Sequence, residues 1–302
     1  MNLTRRTFLG TAALEAVDQT GMPTRVLGKT GAQVSILAYG CGSSFAEYGS
    51  FEQALATLSR ALDLGISYID TAVAYGDGQS EKIVGTLMKT RRKEVWLATK
   101  IRPRGYDEIL RMVDESLRRL QTDQVDLLHI HDLQGAEDLK AIESAPGALK
   151  AFYRIRDEKK ARFIGITSHT DPAVLKTALE RHDFDCTQMS LNPALRGSHR
   201  EDSFESLALP VAVRKKMGVI AMKVFAQARY KAPAARLMRY ALSLPVSSAA
   251  IGMPTAKVLE EDVRIAKTFR RMRESEMRNL ADELSAAHKA SLDRHFRQHV
   301  DA

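Results

Sequence analysis

Disulfide chemistry is the first thing this 302-residue chain lacks: its two cysteines, Cys41 and Cys186, lie far apart and without C-x-x-C spacing. That excludes a cystine-stapled scaffold and a zinc ribbon, and reads as two buried thiols in a reducing compartment. No uninterrupted apolar run approaches the ~18 residues needed to cross a bilayer, so no membrane partner is expected. Lys and Arg outnumber Asp and Glu by 45 to 37, a net charge of +8, and aromatics make up only 6%. The basic residues fall in separate segments, among them Arg91–Arg92–Lys93, Arg214–Lys215–Lys216 and Arg270–Arg271. Without an aromatic-interleaved basic stripe no nucleic-acid partner is expected; a dispersed positive field suits a small anion. Also missing is a G-x-G-x-x-G turn after the first apolar run, where "GCGSSF" stands instead. That argues against an open, doubly wound dinucleotide-binding sheet.

What the chain does have is a repeat of pattern. Eight short, β-branched apolar runs alternate with segments of helical period: "VSILAYG", "YIDTA", "VWLATKI", "VDLLHIH", "FIGITS", "CTQMSLN", "VIAMKVF" and "SSAAIGM". In "YDEILRMVDESLRRLQ", Ile109, Met112, Val113, Leu117 and Leu120 mark one helical face. Gly65 and Gly218 fall where a helix end favours a left-handed residue, and Ser80 and Pro172 fall at helix starts. Continuous apolar strands belong in a parallel sheet covered by helices, and eight such units close into a (β/α)8 TIM barrel of ~250 residues.

The predicted organisation is a leader over 1–21, a barrel over 22–270 and a C-terminal helical tail over 271–302. A small hairpin in "TRVLGKTGAQV" precedes the first barrel strand and is placed to plug the barrel floor. The leader carries "TRRTFLG", a twin-arginine pattern whose apolar part is broken by Glu15. Read as a degenerate signal, it leaves a cytoplasmic location expected, with export of the folded protein as the alternative.

In such a barrel, functional groups collect at the C-terminal ends of the strands. The second run ends near Asp70, the third at Lys100 and the fourth at His131, with Tyr75 just beyond the second. These groups are costly to bury unpaired, and neighbouring strands bring them together. A phenol titrates near ~10, so it is a poor proton donor until an ammonium stabilises its phenolate. A buried lysine keeps that charge only if an acid holds it, which is the role open to Asp70. His131 can supply a hydrogen bond to a carbonyl oxygen.

With these residues in place, "IDTAVAYGDGQSEKIVG", "LATKI" and "VDLLHIHD" resemble the aldo-keto reductase family, and the likeness continues through "ARFIGITSH", "CTQMSLNPA" and "AAIGMPTAKVLEEDVRIA". The resemblance spans about residues 22–269 and implies NAD(P)H-dependent reduction of a small-molecule aldehyde or ketone. It implies Asp70, Tyr75, Lys100 and His131 as a catalytic tetrad with Tyr75 as general acid. It further implies Thr167, Ser168 and Gln188 at the nicotinamide carboxamide, and Gly252, Thr255, Glu261 and Asp262 toward the adenosine. NADP(H) is the expected cofactor, with NAD(H) the alternative. The family's stacking aromatic is here Met222, followed by Lys223, whose ammonium can meet the pyrophosphate. A basic residue common beside the 2′-phosphate is here Pro254, for which Lys257 can substitute. The usual acid–asparagine pair is Glu261–Asp262, and the serine–asparagine pair after strand five is Thr167–Ser168. His169 reads as a loop residue.

Two other readings stay open. "HIH" has the H-x-H spacing of metal-dependent barrel hydrolases, which would use His129 and His131, with His169 and Lys100. The reductase reading calls for no metal. A barrel that binds the nucleotide without turnover is the other alternative. Substrate choice is expected from the loops "DLQGAEDLKAIESAPG" and "AQARYKAP" and from the tail.

Overall fold

A computed structural model describes residues 16–42, 45, 48–196 and 203–299. The twin-arginine pattern lies outside the described residues.

The chain opens with a three-stranded antiparallel sheet of β1 (Ala16–Val17), β2 (Pro23–Val26) and β3 (Gln33–Ser35). Then come β4 (Leu37–Gly40), α1 (Phe51–Asp63), β5 (Tyr68–Asp70), α2 (Gln79–Arg91), β6 (Trp96–Ile101) and α3 (Tyr106–Leu120). The middle holds β7 (Val125–Ile130), α4 (Ala136–Glu143), α5 (Ala148–Asp157), β8 (Ala161–Ser168) and α6 (Pro172–Arg181). After these lie β9 (Cys186–Ser190), α7 (Pro193–Arg196), α8 (Ala208–Arg214), β10 (Gly218–Met222) and α9 (Ala234–Ser243). The chain finishes with β11 (Ser248–Ile251), α10 (Ala256–Lys267) and α11 (Glu274–Gln298). Strands β4 to β11 are parallel and close on themselves in chain order, with helices between them.

The eight predicted runs all become barrel strands, with one shift: Val34 and Ser35 of "VSILAYG" belong to the hairpin. Leu27 and Val34 of that hairpin are fully buried against Ala38, Tyr68, Trp96, Ala98, Leu127, Cys186 and Ile220, filling the barrel floor. Both cysteines are free and buried. The predicted face of α3 is apolar, with Ile109, Val113 and Leu120 buried and Met112 and Leu117 half-buried.

Two helix-boundary expectations are corrected. The left-handed residue before β10 is Lys216, at φ 54°, whereas Gly218 opens the strand and lets Leu27 and the Cys186 thiol approach it. Ser80 sits inside the first turn of α2, where its hydroxyl donates to Cys41 O at 2.9 Å, while Gly78 caps the helix. Gly65 and Pro172 behave as predicted, with Asp171 capping α6.

Strand tilt in such a barrel gains one residue per strand at constant height, a shear of about eight over eight strands. The pairing registers therefore set Asp70, His129, Gln188 and Ala250 in one interior layer. Gly40, Lys100, Thr167 and Met222 form the layer above, toward the C-terminal mouth. Below lie Ala38, Ala98, Gly165 and Ile220, three of them very small. Polar side chains in the upper layers thus stand on a floor that leaves them room.

Glu81 locks this frame from outside. It is fully buried and accepts hydrogen bonds from Thr99 Oγ1 (2.7 Å), Ser116 Oγ and Arg119 Nε (2.7 Å), joining α2 to β6 and α3. A carboxylate with three such donors contributes far more than a surface pair. Glu81→Gln is expected to cost ~2 kcal/mol of unfolding free energy, read from the urea midpoint with unchanged far-UV circular dichroism.

Candidate active site

Residues 71–78 explain why an acid ends β5 and a phenol follows it. Beyond Asp70 the backbone still leans on β6, through Thr71 N to Ala98 O (3.0 Å) and Val73 N to Lys100 O (3.1 Å). The chain then reverses through Gly76, Asp77 and Gly78, all with positive φ, a conformation that "GDG" tolerates and β-branched residues do not. This reversal returns Tyr75 over the barrel mouth.

Lys100 is 1% exposed on β6, and its three ammonium donors each find an acceptor. They reach Asp70 Oδ2 at 2.7 Å, Thr71 O at 2.9 Å and Tyr75 OH at 3.2 Å. Gln188 Nε2 donates to the same Asp70 oxygen at 3.1 Å, from across the barrel. His131 meets Tyr75 edge-to-face, ring centroids 5.8 Å apart. Four residues spread over 62 positions of sequence thus form one cluster, buried on the strand side and open above.

A cleft of about 420 Å³ extends from this cluster across the mouth. Its lining includes Asp70, Tyr75 and Gln188, Met222 and Lys223, and Gly252 with Pro254 and Val258 of α10. Thr167, paired in register with Gln188, is buried beside it, and its hydroxyl has no partner among the described residues. Ser168 faces differently: its hydroxyl donates to Leu133 O at 2.8 Å. Thr255 caps α10 by accepting from Val258 N, and Lys257 and Glu261 are exposed on that helix. Asp262 is 2% exposed, its Oδ2 has no partner among the described residues, and burial, then Glu261, pushes its carboxyl up to about 7.

Several residues at the mouth carry no sequence signal. The C-terminal helix is one 25-residue element, α11, and delivers His295 and His299 to the cleft. His299 Nε2 lies 3.2 Å from Lys223 Nζ and 3.0 Å from Gln227 Nε2, and its carbonyl 3.0 Å from His169 Nε2. His169 lies, as expected, in the loop after β8, and is buried there beside Asp132. A second cavity, of about 410 Å³, is bounded by His169, Lys289, Phe296 and Arg297 and shares no lining residue with the first.

The H-x-H pair does share one interior face, His131 two residues beyond His129 with the layer of Lys100 and Thr167 between them. A metal is disfavoured there because Lys100 brings an ammonium alongside His129. Among the described residues no group of three or more His, Cys, Asp or Glu is arranged to hold a metal ion.

A closed eight-stranded parallel barrel with a Lys–Asp–Tyr–His cluster at its mouth defines a (β/α)8 barrel protein whose polar groups gather at the strand ends. A model of the aldo/keto reductase family matches residues 37–240, and the chain belongs to that family. L-galactose dehydrogenase of Arabidopsis thaliana is 37% identical over 160 residues, 49% of each chain. Aldo-keto reductase yakc [NADP(+)] of Schizosaccharomyces pombe is 32% identical over 191 residues, 57% of this chain and 53% of that one. The chain thus spans about half the length of these curated relatives. The holo form of aldo-keto reductase AKR11C1 from Bacillus halodurans shares the fold, with a TM-score of 0.73 at 24% identity, covering 89% of this chain and 99% of that one.

Proposed function

We propose that this protein is an NAD(P)H-dependent reductase of small aldehydes or ketones, with Asp70, Tyr75, Lys100 and His131 as its tetrad. The observation that carries the reading is Lys100 Nζ held between the Asp70 carboxylate and the Tyr75 phenol. An ammonium donating to a phenol oxygen stabilises the phenolate that proton donation leaves behind. Tyr75 OH would give its proton to the carbonyl oxygen, and His131 would orient that oxygen. Asp70 keeps Lys100 charged, and Gln188 keeps the Asp70 carboxylate in place.

The residues of the cleft fit a dinucleotide. An amide needs both a donor and an acceptor, and the buried Thr167 hydroxyl and Gln188 carbonyl, neither partnered among the described residues, offer both. Lys223 and the positive field suit the pyrophosphate, Gly252 allows its backbone to approach, and Met222 packs flat against a ring. Thr255 and Lys257 would hold the adenosine phosphate, and Glu261 and Asp262 the adenine side; the orphaned Asp262 oxygen is an acceptor for an amino group. When bound, NAD(P)H supplies the hydride. The S. pombe relative's name supports NADP(H), and the Arabidopsis relative's name puts hydroxylated, sugar-like carbonyls on the test panel.

The test is a fluorescence titration with NADPH and NADH, followed by turnover with a panel of aldehydes, ketones and sugars. NADPH is expected to bind more tightly and to be oxidised in proportion to carbonyl consumed. Binding without turnover on any carbonyl would favour the non-catalytic nucleotide-binding alternative. A cytoplasmic location is part of this proposal, with export of the folded protein as its alternative.

A further inference from the structure

Inside the barrel, level with Asp70 and below Lys100 and His131, sits a group that the proposed reaction does not use. His129 is fully buried, and neither of its ring nitrogens has a hydrogen-bond partner among the described residues. An imidazole stripped of water on both sides is expensive unless something pairs with it. Four other orphaned atoms belong to this layer or the ones beside it: Asp70 Oδ1 and Gln188 Oε1 in the same layer, the Thr167 hydroxyl in the layer above, and Tyr68 OH two residues below Asp70 on β5. The floor is hollowed for the ring, since a β-carbon on Gly165 would lie 2.5 Å from His129 Nδ1. A neutral imidazole offers one donor and one acceptor, a phenol both, and a carboxylate oxygen only acceptance. Together they match the two to four polar partners that a buried water requires.

We propose that His129 is a positioning residue for the tetrad: through a buried water shared with Tyr68 it holds the second oxygen of Asp70, and so fixes the carboxylate that grips Lys100. The inference rests on the tetrad reading above and deepens it. Burial first, then the positive charges of Lys100 and His131, drive the His129 pKa well below its ordinary value, so the ring stays neutral and carries no competing charge. By register the groups around it are Lys100 from β6, Asp70 and Tyr68 from β5, His131 from its own strand, Gln188 and the Cys186 thiol from β9, and Gly165 with the Thr167 hydroxyl from β8. Without the histidine, Asp70 Oδ1 loses its donor and the carboxylate is easier to protonate. Lys100 then holds its charge less firmly, and the phenolate loses stabilisation.

Full-length His129→Leu, His129→Asn and Tyr68→Phe test this, with Tyr75→Phe alongside. Expected for His129→Leu is a roughly tenfold lower kcat for aldehyde reduction, with KM and NADPH affinity unchanged and the alkaline limb of the pH profile displaced upward. His129→Asn, which keeps a donor and an acceptor, should recover most of the rate and the native profile. Tyr68→Phe should reproduce the displacement in smaller measure. A folded His129→Leu enzyme with wild-type kcat and profile overturns the proposal, as does a rate loss with an unmoved profile. If His129→Leu does not fold, an unmoved profile in Tyr68→Phe overturns it equally. Wild-type turnover by Tyr75→Phe would instead remove the tetrad reading, so the two failures are told apart.

Discussion

Tyr75→Phe is expected to lower kcat for carbonyl reduction by roughly 10²- to 10⁴-fold, the range a positioned general acid supplies. Binding of NADPH should survive, because the phenol edge is lost without disturbing the ring packing. Gly42 already lies close to that ring, where a β-carbon would stand 3.5 Å from it, so Phe fills the same space. Steady-state kinetics with a generic aldehyde, together with a fluorescence titration of the cofactor, separates the two effects. A parallel loss of rate and cofactor affinity would mean that Tyr75 binds rather than donates.

Lys100→Met is expected to have the larger total effect, because it strikes both chemistry and stability. The Lys100–Asp70 pair is almost wholly buried, at 1% and 4% side-chain exposure. Removing one member leaves an uncompensated carboxylate in the barrel, which costs about 3–5 kcal/mol. Turnover should fall at least as far as in Tyr75→Phe, since the phenolate loses its partner. The double variant Lys100→Met with Asp70→Asn should recover much of the stability and none of the activity, because it removes the stranded charge but not the missing ammonium. Urea unfolding and steady-state turnover on the three proteins check both halves.

Much of this architecture could be read from the residues because barrel strands are nearly continuous apolar runs. A polar group at the end of such a run stands out: Asp70, Lys100 and His131 each interrupt a stretch that is otherwise buried. Tyr75 was legible for a different reason, as an aromatic among glycines that force the chain to double back. Close tertiary approach left no such mark. Gly218 looks like a helix terminator in the sequence, yet its role is to admit Leu27 and Cys186. Ser80 looks like a cap, yet its hydroxyl ties α2 to the end of β4. Glu81 shares the motif around Tyr75 but is a structural lock between two helices and a strand.

The mouth of the barrel was the least legible part. The tail reads as a polar amphipathic stretch, and no periodicity says which surface its end will meet. Only the fold brings His299 to Lys223 and Gln227, and His169 to its carbonyl. His129 is the reverse case, a residue whose H-x-H spacing was visible but whose meaning depends on Lys100 standing beside it.

Single-turnover transfer from NADPH deuterated at both C4 positions to an aldehyde tests the proposed chemistry most directly. The expected product carries one deuterium on the new carbinol carbon, formed at a rate that collapses in Tyr75→Phe. A cofactor that binds and keeps its deuterium against every carbonyl offered, or a Tyr75→Phe protein that reduces as fast as the native one, would contradict it.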